Sequence, residues 1–216
     1  SLIEKGFLRN LWNTVFISLV TTFGTLALTS LAGYALGALE FRGRNVVFLP
    51  FFLALLLPPQ VTVVPLFESI ARVGLLGSPL AVILPTLASP FAVYFMRQTF
   101  VRFPKELLEA GRIDGASEWA LYRYIALPNI MGALASLGIF VFLGSWNGFF
   151  WPLVALGNNR EDQTLPVAIS GLIGESFIDY GGLMAATALS VLPVLIFFLL
   201  AQRYFTASPL AGGVKD

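Results

Sequence analysis

Cysteine is absent from this sequence, and so is histidine. The first absence excludes disulfides and thiolate metal sites. The second removes the commonest general base and metal ligand. Charge is scarce: Asp, Glu, Lys and Arg make up 12% of the chain and sum to +1. That balance offers no basic surface for nucleic acid. No G-x-x-x-x-G-K-[ST] motif occurs, so the chain has no P-loop for ATP. The acids Glu161, Asp162, Glu175 and Asp179 are too scattered for a calcium site or a catalytic pair, and no metal site is expected.

Apolar residues fill the space that charge leaves. They make up 57% of 216 residues, which fits an integral membrane protein better than a soluble domain. Five stretches lack any charge: 10–39, 45–67, 73–96, 124–159 and 180–202. A span needs about 20 mostly apolar residues. Backbone groups in lipid must be satisfied internally, so the spans are expected to be helices. The expected fold is all-α, a polytopic transmembrane bundle of five spans in a single domain over 1–216. The second and third stretches hold Pro50, Pro58, Pro59, Pro65, Pro79, Pro85 and Pro90, which predicts kinked or interrupted helices. The fourth is too long for one straight helix. Pro128 is expected to open it and residues 145–152 to break it near its far end.

Five spans sort the loops onto two sides. One side collects Lys5, Arg9, Arg72 and Arg160. The other collects Arg42, Arg44, Arg97, Arg102, Lys105, Arg112, Arg123, Arg203 and Lys215. The positive-inside rule assigns the second set to the cytoplasm, together with the C-terminus. Residues 157–179 are then external. Ser1 also falls outside, so one more span upstream is expected in the parent protein.

Between the third and fourth stretches lies a charged island, 97–123, with nine charged side chains: Arg97, Arg102, Lys105, Glu106, Glu109, Arg112, Asp114, Glu118 and Arg123. Each would cost about 2.5–3.5 kcal/mol at the centre of a bilayer, so the island lies outside the hydrocarbon. Pro104 suits the first turn of a helix. Pro104, Leu107, Leu108 and Gly111 have the spacing of one apolar stripe. Lys105–Glu109 and Glu109–Arg112 have the spacing of helical ion pairs. Asp114-Gly115 signals a break, because glycine takes the left-handed conformation that ends a helix. A second helix from about Ala116 carries Trp119, Ala120 and Tyr124. The pattern describes a cytoplasmic helical hairpin over 104–128. It is either an ordinary loop or a surface for a soluble partner.

The hairpin residues Glu109-Ala110-Gly111-x-x-Asp114-Gly115-Ala116, followed by Leu127-Pro128, resemble the EAA signature of ABC importer permeases. The resemblance covers almost the whole chain and is closest to the MalG-like sugar permeases. Asn13-Thr14, Ala32-Gly33-Tyr34-Ala35, Trp146-Asn147-Gly148-Phe149, Trp151-Pro152-Leu153, Thr164-Leu165-Pro166 and Gln202-Arg203-Tyr204-Phe205 are similar too. The resemblance implies a six-helix type I permease fold, of which this chain supplies five helices. It implies that Glu106, Glu109, Ala110, Gly111, Asp114, Gly115, Ala116 and Pro128 form the element that docks on an ATPase. Gly111 departs from the family's usual second alanine.

The implied activity is that of a multi-pass subunit in a prokaryotic cytoplasmic (inner) membrane, translocating a sugar or related polyol. The implied partners are a second permease subunit in a heterodimer, two ATP-binding cassette ATPase subunits and an extracytoplasmic solute-binding protein. No cofactor is expected on this chain; ATP and Mg belong to the ATPases, and the chain itself is not an enzyme. Asn159 and Gln163, in the external loop 157–179, are candidates to meet the binding protein. Trp146 and Asn147 are candidates for a pathway or gate, with interhelical hydrogen bonding as the alternative. Pro59 and Gln60 are a hinge, a gate or a simple kink. Gly33 and Gly37 have the spacing of close helix contact. Trp12, Trp146 and Trp151 are candidate interfacial anchors. Two rival functions remain. One is a permease for a non-sugar solute such as an amino acid. The other is a secondary transporter, which the lack of charge inside the spans opposes.

Overall fold

The computed structural model of the chain describes residues 6–157, 162–171 and 180–201. Among them every regular element is helical. Helix α1 (Phe7–Gly37) runs 31 residues, about 46 Å, with no proline to break it. It is the axis on which the rest packs. One of its faces is buried and polar: Asn10, Thr14, Ser18, Thr21, Thr22, Thr25, Thr29 and Ser30 are almost wholly covered. Several of these hydroxyls are satisfied within the helix, and Thr25 donates to the Thr86 carbonyl at 3.3 Å, whereas the buried hydroxyls of Ser18 and Thr21 find no partner among the described residues. Thr14, Thr22 and Thr29 donate to the carbonyls of Asn10, Ser18 and Thr25 at 2.8, 2.6 and 2.6 Å.

The proline-rich second stretch forms α2 (Arg44–Ala54), a short 3₁₀ turn (Pro59–Thr62) and α3 (Val63–Arg72). The two halves meet at 101°, with Pro58 and Pro59 at the break, as their lack of N–H and fixed φ require. The third stretch becomes α4 (Pro79–Leu87) and α5 (Pro90–Val101), near-continuous across Ala88-Ser89. It starts later than its apolar run predicts, because Gly74 and Gly77 take positive φ and turn residues 73–78. Helix α1 packs most closely on α5. A Cβ at Gly33 would lie 2.5 Å from Met96 Cβ, and one at Gly37 would lie 2.7 Å from Phe100 Cβ. The predicted small-residue contact is real, and only glycine permits it.

After α6 (Lys105–Ile113) the chain turns into a continuous helical arm over 118–129. The arm comprises α7 (Glu118–Ala120), a π-helical segment (Leu121–Ala126) and α8 (Leu127–Asn129). It meets α9 (Met131–Trp146) at 76°. The bend falls at Ile130, two residues beyond the expected Pro128. A break at 147–149 precedes α10 (Phe150–Leu156), as predicted. Helices α11 (Leu165–Gly171) and α12 (Tyr180–Ala201) complete the described chain. Among the described residues, three helical stretches are long and apolar enough to cross a membrane, or five if each bent pair counts as one span. Those five correspond to the five charge-free stretches.

Candidate functional site

Pro104 leads into the hairpin from just outside α6, with ψ 111°, rather than from within its first turn. Only part of the expected apolar stripe is covered. Leu108 and Gly111 are buried, whereas Leu107 remains 45% exposed. Gly111 has a specific use. A Cβ there would sit 2.5 Å from Leu121 Cδ2 and 2.8 Å from Ile125 Cδ1, so its bare backbone receives the second arm. Gly115 then reverses the chain at φ +81°, as Asp114-Gly115 predicts. The Ala116 N–H reaches back to the Gly111 carbonyl at 3.0 Å and the Gly115 N–H to Arg112 at 3.0 Å, closing the orphan carbonyls of α6. Ser117 caps the second arm through the Ala120 N–H at 3.3 Å.

The predicted ion pairs within α6 are not the ones that form. Lys105 Nζ binds Glu40 Oε1 at 2.9 Å, and Arg112 Nε binds Glu118 Oε1 at 2.7 Å. Glu109 makes no ion pair among the described residues. The reason is geometric: the end of α1 and the start of the second arm bring carboxylates closer than the helix's own spacing does. Glu118 also receives Tyr34 Oη from α1 on its other oxygen, at 2.8 Å. One turn along, Ser30 Oγ and Tyr122 Oη lie 2.7 Å apart. The hydrogen bond from Arg112 holds the Glu118 carboxyl below the usual glutamate range, and the same bond raises Arg112. Lys105 likewise lowers Glu40. These side chains rim a groove of about 450 Å³ between the end of α1 and α6.

The face of α6 turned away from this groove is unengaged, with Glu109 at its edge, since that residue also lines the groove. Glu106, Glu109 and Ala110 are exposed, as is Asp114 at its end, and Ile113 is 86% exposed. Positions 106, 109, 110 and 113 share one side of a helix. Ala116 is half-covered and Pro128 exposed. The arrangement holds no nucleophile–base pair; it is an acidic and apolar ridge bolted to the bundle from behind.

Sequence reasoning named Tyr34 only as part of a motif and missed Glu118, Ser30 and Tyr122 as ties. Glu118 stands six residues from Arg112, a spacing that means nothing until the Gly115 turn is known.

The remaining candidates separate. Pro59 and Gln60 are exposed at the 101° break. Trp146 is not an interfacial anchor: it is 3% exposed, stacks on Phe142 at 5.7 Å and donates to the Ser190 carbonyl at 3.2 Å. Trp151 donates inward to the Ala81 carbonyl at 3.0 Å, whereas Trp12 is largely exposed. Asn147 is exposed rather than buried, and its amide donates to the Leu143 carbonyl of its own helix at 2.9 Å.

Asn159 lies outside the described residues, as does the motif at 202–205. Gln163 is half-buried, and its carbonyl accepts from Asn10 Nδ2 at 2.9 Å and Asn13 Nδ2 at 3.3 Å. The Leu165 N–H donates to Thr14 Oγ1 at 2.7 Å. The first turns of α1 thus staple residues 163–165, far along the helix from the hairpin.

Comparison with known proteins agrees with this architecture. Residues 29–208 match the model of the "Binding-protein-dependent transport system inner membrane component" family. The chain is 39% identical over 203 residues to the arabinooligosaccharides transport system permease protein AraQ of Halalkalibacterium halodurans, covering 94% of this chain and 72% of that one. It is 36% identical to the lactose transport system permease protein LacG of Rhizobium radiobacter, covering 94% and 74%. It is 36% identical to the sn-glycerol-3-phosphate transport system permease protein UgpE of Pectobacterium atrosepticum, covering 90% and 70%. Among solved structures, a bacterial ABC transporter for import of the acidic polysaccharide alginate superposes with a TM-score of 0.82 at 23% identity, over 92% of this chain and 75% of that one. The MetNI methionine ABC transporter superposes at 0.70 and 18%, over 96% and 98%. With the helical permease fold, the family match over most of its length and relatives above one-third identity, this chain belongs to the inner membrane components of binding-protein-dependent transport systems.

Proposed function

We propose that this chain is a transmembrane permease subunit of an ATP-driven importer for a sugar, oligosaccharide or related polyol, and that its 104–128 hairpin docks on the ATP-hydrolysing partner. The observation that carries the reading is the hairpin itself. It is closed by Gly115, tied to α1 through Glu118 and Tyr122, and presents an exposed ridge of Glu106, Glu109, Ala110, Ile113 and Asp114. The relatives transport arabinooligosaccharides, lactose and glycerol phosphate, which supports a polyhydroxylated solute.

The transport cycle follows from the ties. ATP and Mg bind the ATPase pair, whose closure moves the hairpin on the cytoplasmic side. Because α1 is one unbroken helix, tied to the hairpin at Ser30 and Tyr34 and to residues 163–165 at its start, the displacement reaches the outer face without loss in a flexible joint. There the 157–179 segment, through Asn159 and Gln163, meets the loaded solute-binding protein. A second permease completes the pathway, lined in part by the break at Pro59 and Gln60 and by the exposed Asn147 near Trp146. This chain supplies no hydrolytic residue, and its C-terminus is cytoplasmic.

Gly115→Val and Glu109→Lys test the reading in the complex as it assembles. The first forces a β-branched residue into positive φ, at about 1–2 kcal/mol. The second breaks no ion pair, so it should leave the fold intact. Both variants are expected to insert and accumulate normally, yet to lose transport and the stimulation of ATP hydrolysis by loaded binding protein. Stimulation is expected from a sugar or polyol in a solute panel. Normal transport by both variants, or stimulation confined to amino acids, overturns the proposal.

A further inference from the structure

A second groove, of about 790 Å³, runs between α1 and α9 and ends at the hairpin's second arm. Its α1 wall extends from Leu19 to Leu31, about 18 Å at the helical rise per residue. That matches the ~15 Å hydrocarbon depth of a single leaflet. Thr22 is the one polar residue of the α1 wall away from the hairpin, and its hydroxyl donates to the Ser18 carbonyl at 2.6 Å; the other polar groups gather at the hairpin end, where Ser30, Trp119, Tyr122 and Arg123 stand. Among the described residues, Arg123 is the one charged side chain lining the groove. It is exposed and has no ion-pair partner among the described residues. The nearby carboxylate of Glu118 is already taken by Arg112 and Tyr34. Trp119 is 62% exposed, with the amphipathic ring favoured at the headgroup boundary.

We propose that this groove holds an acyl chain of an anionic phospholipid from the leaflet on the hairpin's side, with the phosphate on Arg123 and Trp119 beside it. A lone cation at the mouth of an apolar slot one leaflet deep selects a ligand with an acidic head and a hydrocarbon tail. An apolar helix from another subunit fits worse, because it would cover Arg123 without neutralising it. The lipid braces the second arm of the hairpin against α1 and α9. Its occupancy does not depend on whether the hairpin docks on an ATPase, so either proposal can fail alone.

The test uses the permease in its purified complex, reconstituted in nanodiscs with brominated phosphatidylglycerol or brominated phosphatidylcholine. Quenching of Trp119 is the difference between the native protein and Trp119→Phe. It is expected at about fivefold lower mole fraction of the anionic lipid, the preference one interfacial cation supplies. Arg123→Gln should abolish the preference, and Ala135→Phe, which fills the slot, should weaken quenching by both lipids. Equal quenching by the two lipids, or a preference that survives Arg123→Gln, overturns the proposal. Since the chain has no cysteine, Ala135→Cys gives a single reactive position. High-yield disulfide cross-linking from it to a helix of a second permease also overturns it.

Discussion

Glu118 receives hydrogen bonds on both carboxylate oxygens, from Arg112 across the Gly115 turn and from Tyr34 on α1. Half of its side chain is exposed, so the ion pair with Arg112 contributes at most about 1 kcal/mol. The Tyr34 hydroxyl is the more specific link, because it alone joins this carboxylate to the bundle. Tyr34→Phe removes that link and leaves the ring contacts with Phe100 and Tyr122, both at 5.4 Å. A hydrogen bond to a charged acceptor is worth about 1.5 kcal/mol or more. Amide exchange over 105–126 is therefore expected to speed up about tenfold in the variant, with unchanged exchange near Thr22. The same site sets a pH dependence. Glu118 has a lowered carboxyl pKa in the folded protein, so its contribution is present above the ordinary value of 4.5 and is lost as pH falls below it. Protection of the hairpin should stay level from pH 8 to pH 5 and fall at lower pH. In Glu118→Gln that acid-dependent step should vanish.

Helix α1 succeeds as a long straight element because its covered face is built of small polar residues and glycines. The hydroxyls of Thr14, Thr22, Thr29 and Ser30 bond their own helix, and glycines let α5 approach backbone to backbone. Gly33→Leu would drive its Cβ into Met96 at 2.5 Å, where the nearest atoms belong to backbone or Cβ and cannot rotate away. Overpacking of this kind costs about 1–3 kcal/mol. The variant is expected to melt at a lower temperature in detergent, followed by size-exclusion recovery after heating. Gly144→Ala is the matched control, since a Cβ there meets nothing within 4 Å. Equal melting of the two variants would remove the close-approach argument. The other helices show a different principle: Pro58-Pro59 divides a run apolar enough for one span into two helices 101° apart.

Over the molecule, α1 carries at one end the residues that staple 163–165 and at the other those that grip the hairpin. The two sets, Asn10 to Thr14 and Ser30 to Tyr34, stand about 24–36 Å apart along the helix, the scale of the ~30 Å hydrocarbon core of a bilayer. The two ends should therefore face opposite compartments. Single cysteines in this cysteine-free chain test that directly. Ala110→Cys is expected to react only after the cytoplasmic face is opened, and Gln163→Cys to react with an impermeant reagent in intact cells. Labelling of both from the same side would reverse the arrangement proposed for the hairpin and the external segment.

Several features could be read from residue order because they are local or depend only on transfer from water. Charge-free length located the spans and, where it exceeded one helix, the break near 147–149; the proline run located the break at 58–59, and Asp114-Gly115 located the turn. Gly33 and Gly37 announced a close contact, though not that Met96 and Phe100 would make it. The ties of the hairpin were illegible. Lys105 and Arg112 each had a partner at helical spacing in α6, yet chose Glu40 and Glu118, and Trp146 and Asn147 exchanged the buried and exposed roles that residue type suggested. Such choices depend on which helices lie side by side. Tyr34 and Glu118 are 84 positions apart, and only the packing of α1 against the hairpin brings hydroxyl and carboxylate within reach, because a hydrogen bond is decided by distances of a few tenths of an ångström that no pattern of residue types encodes.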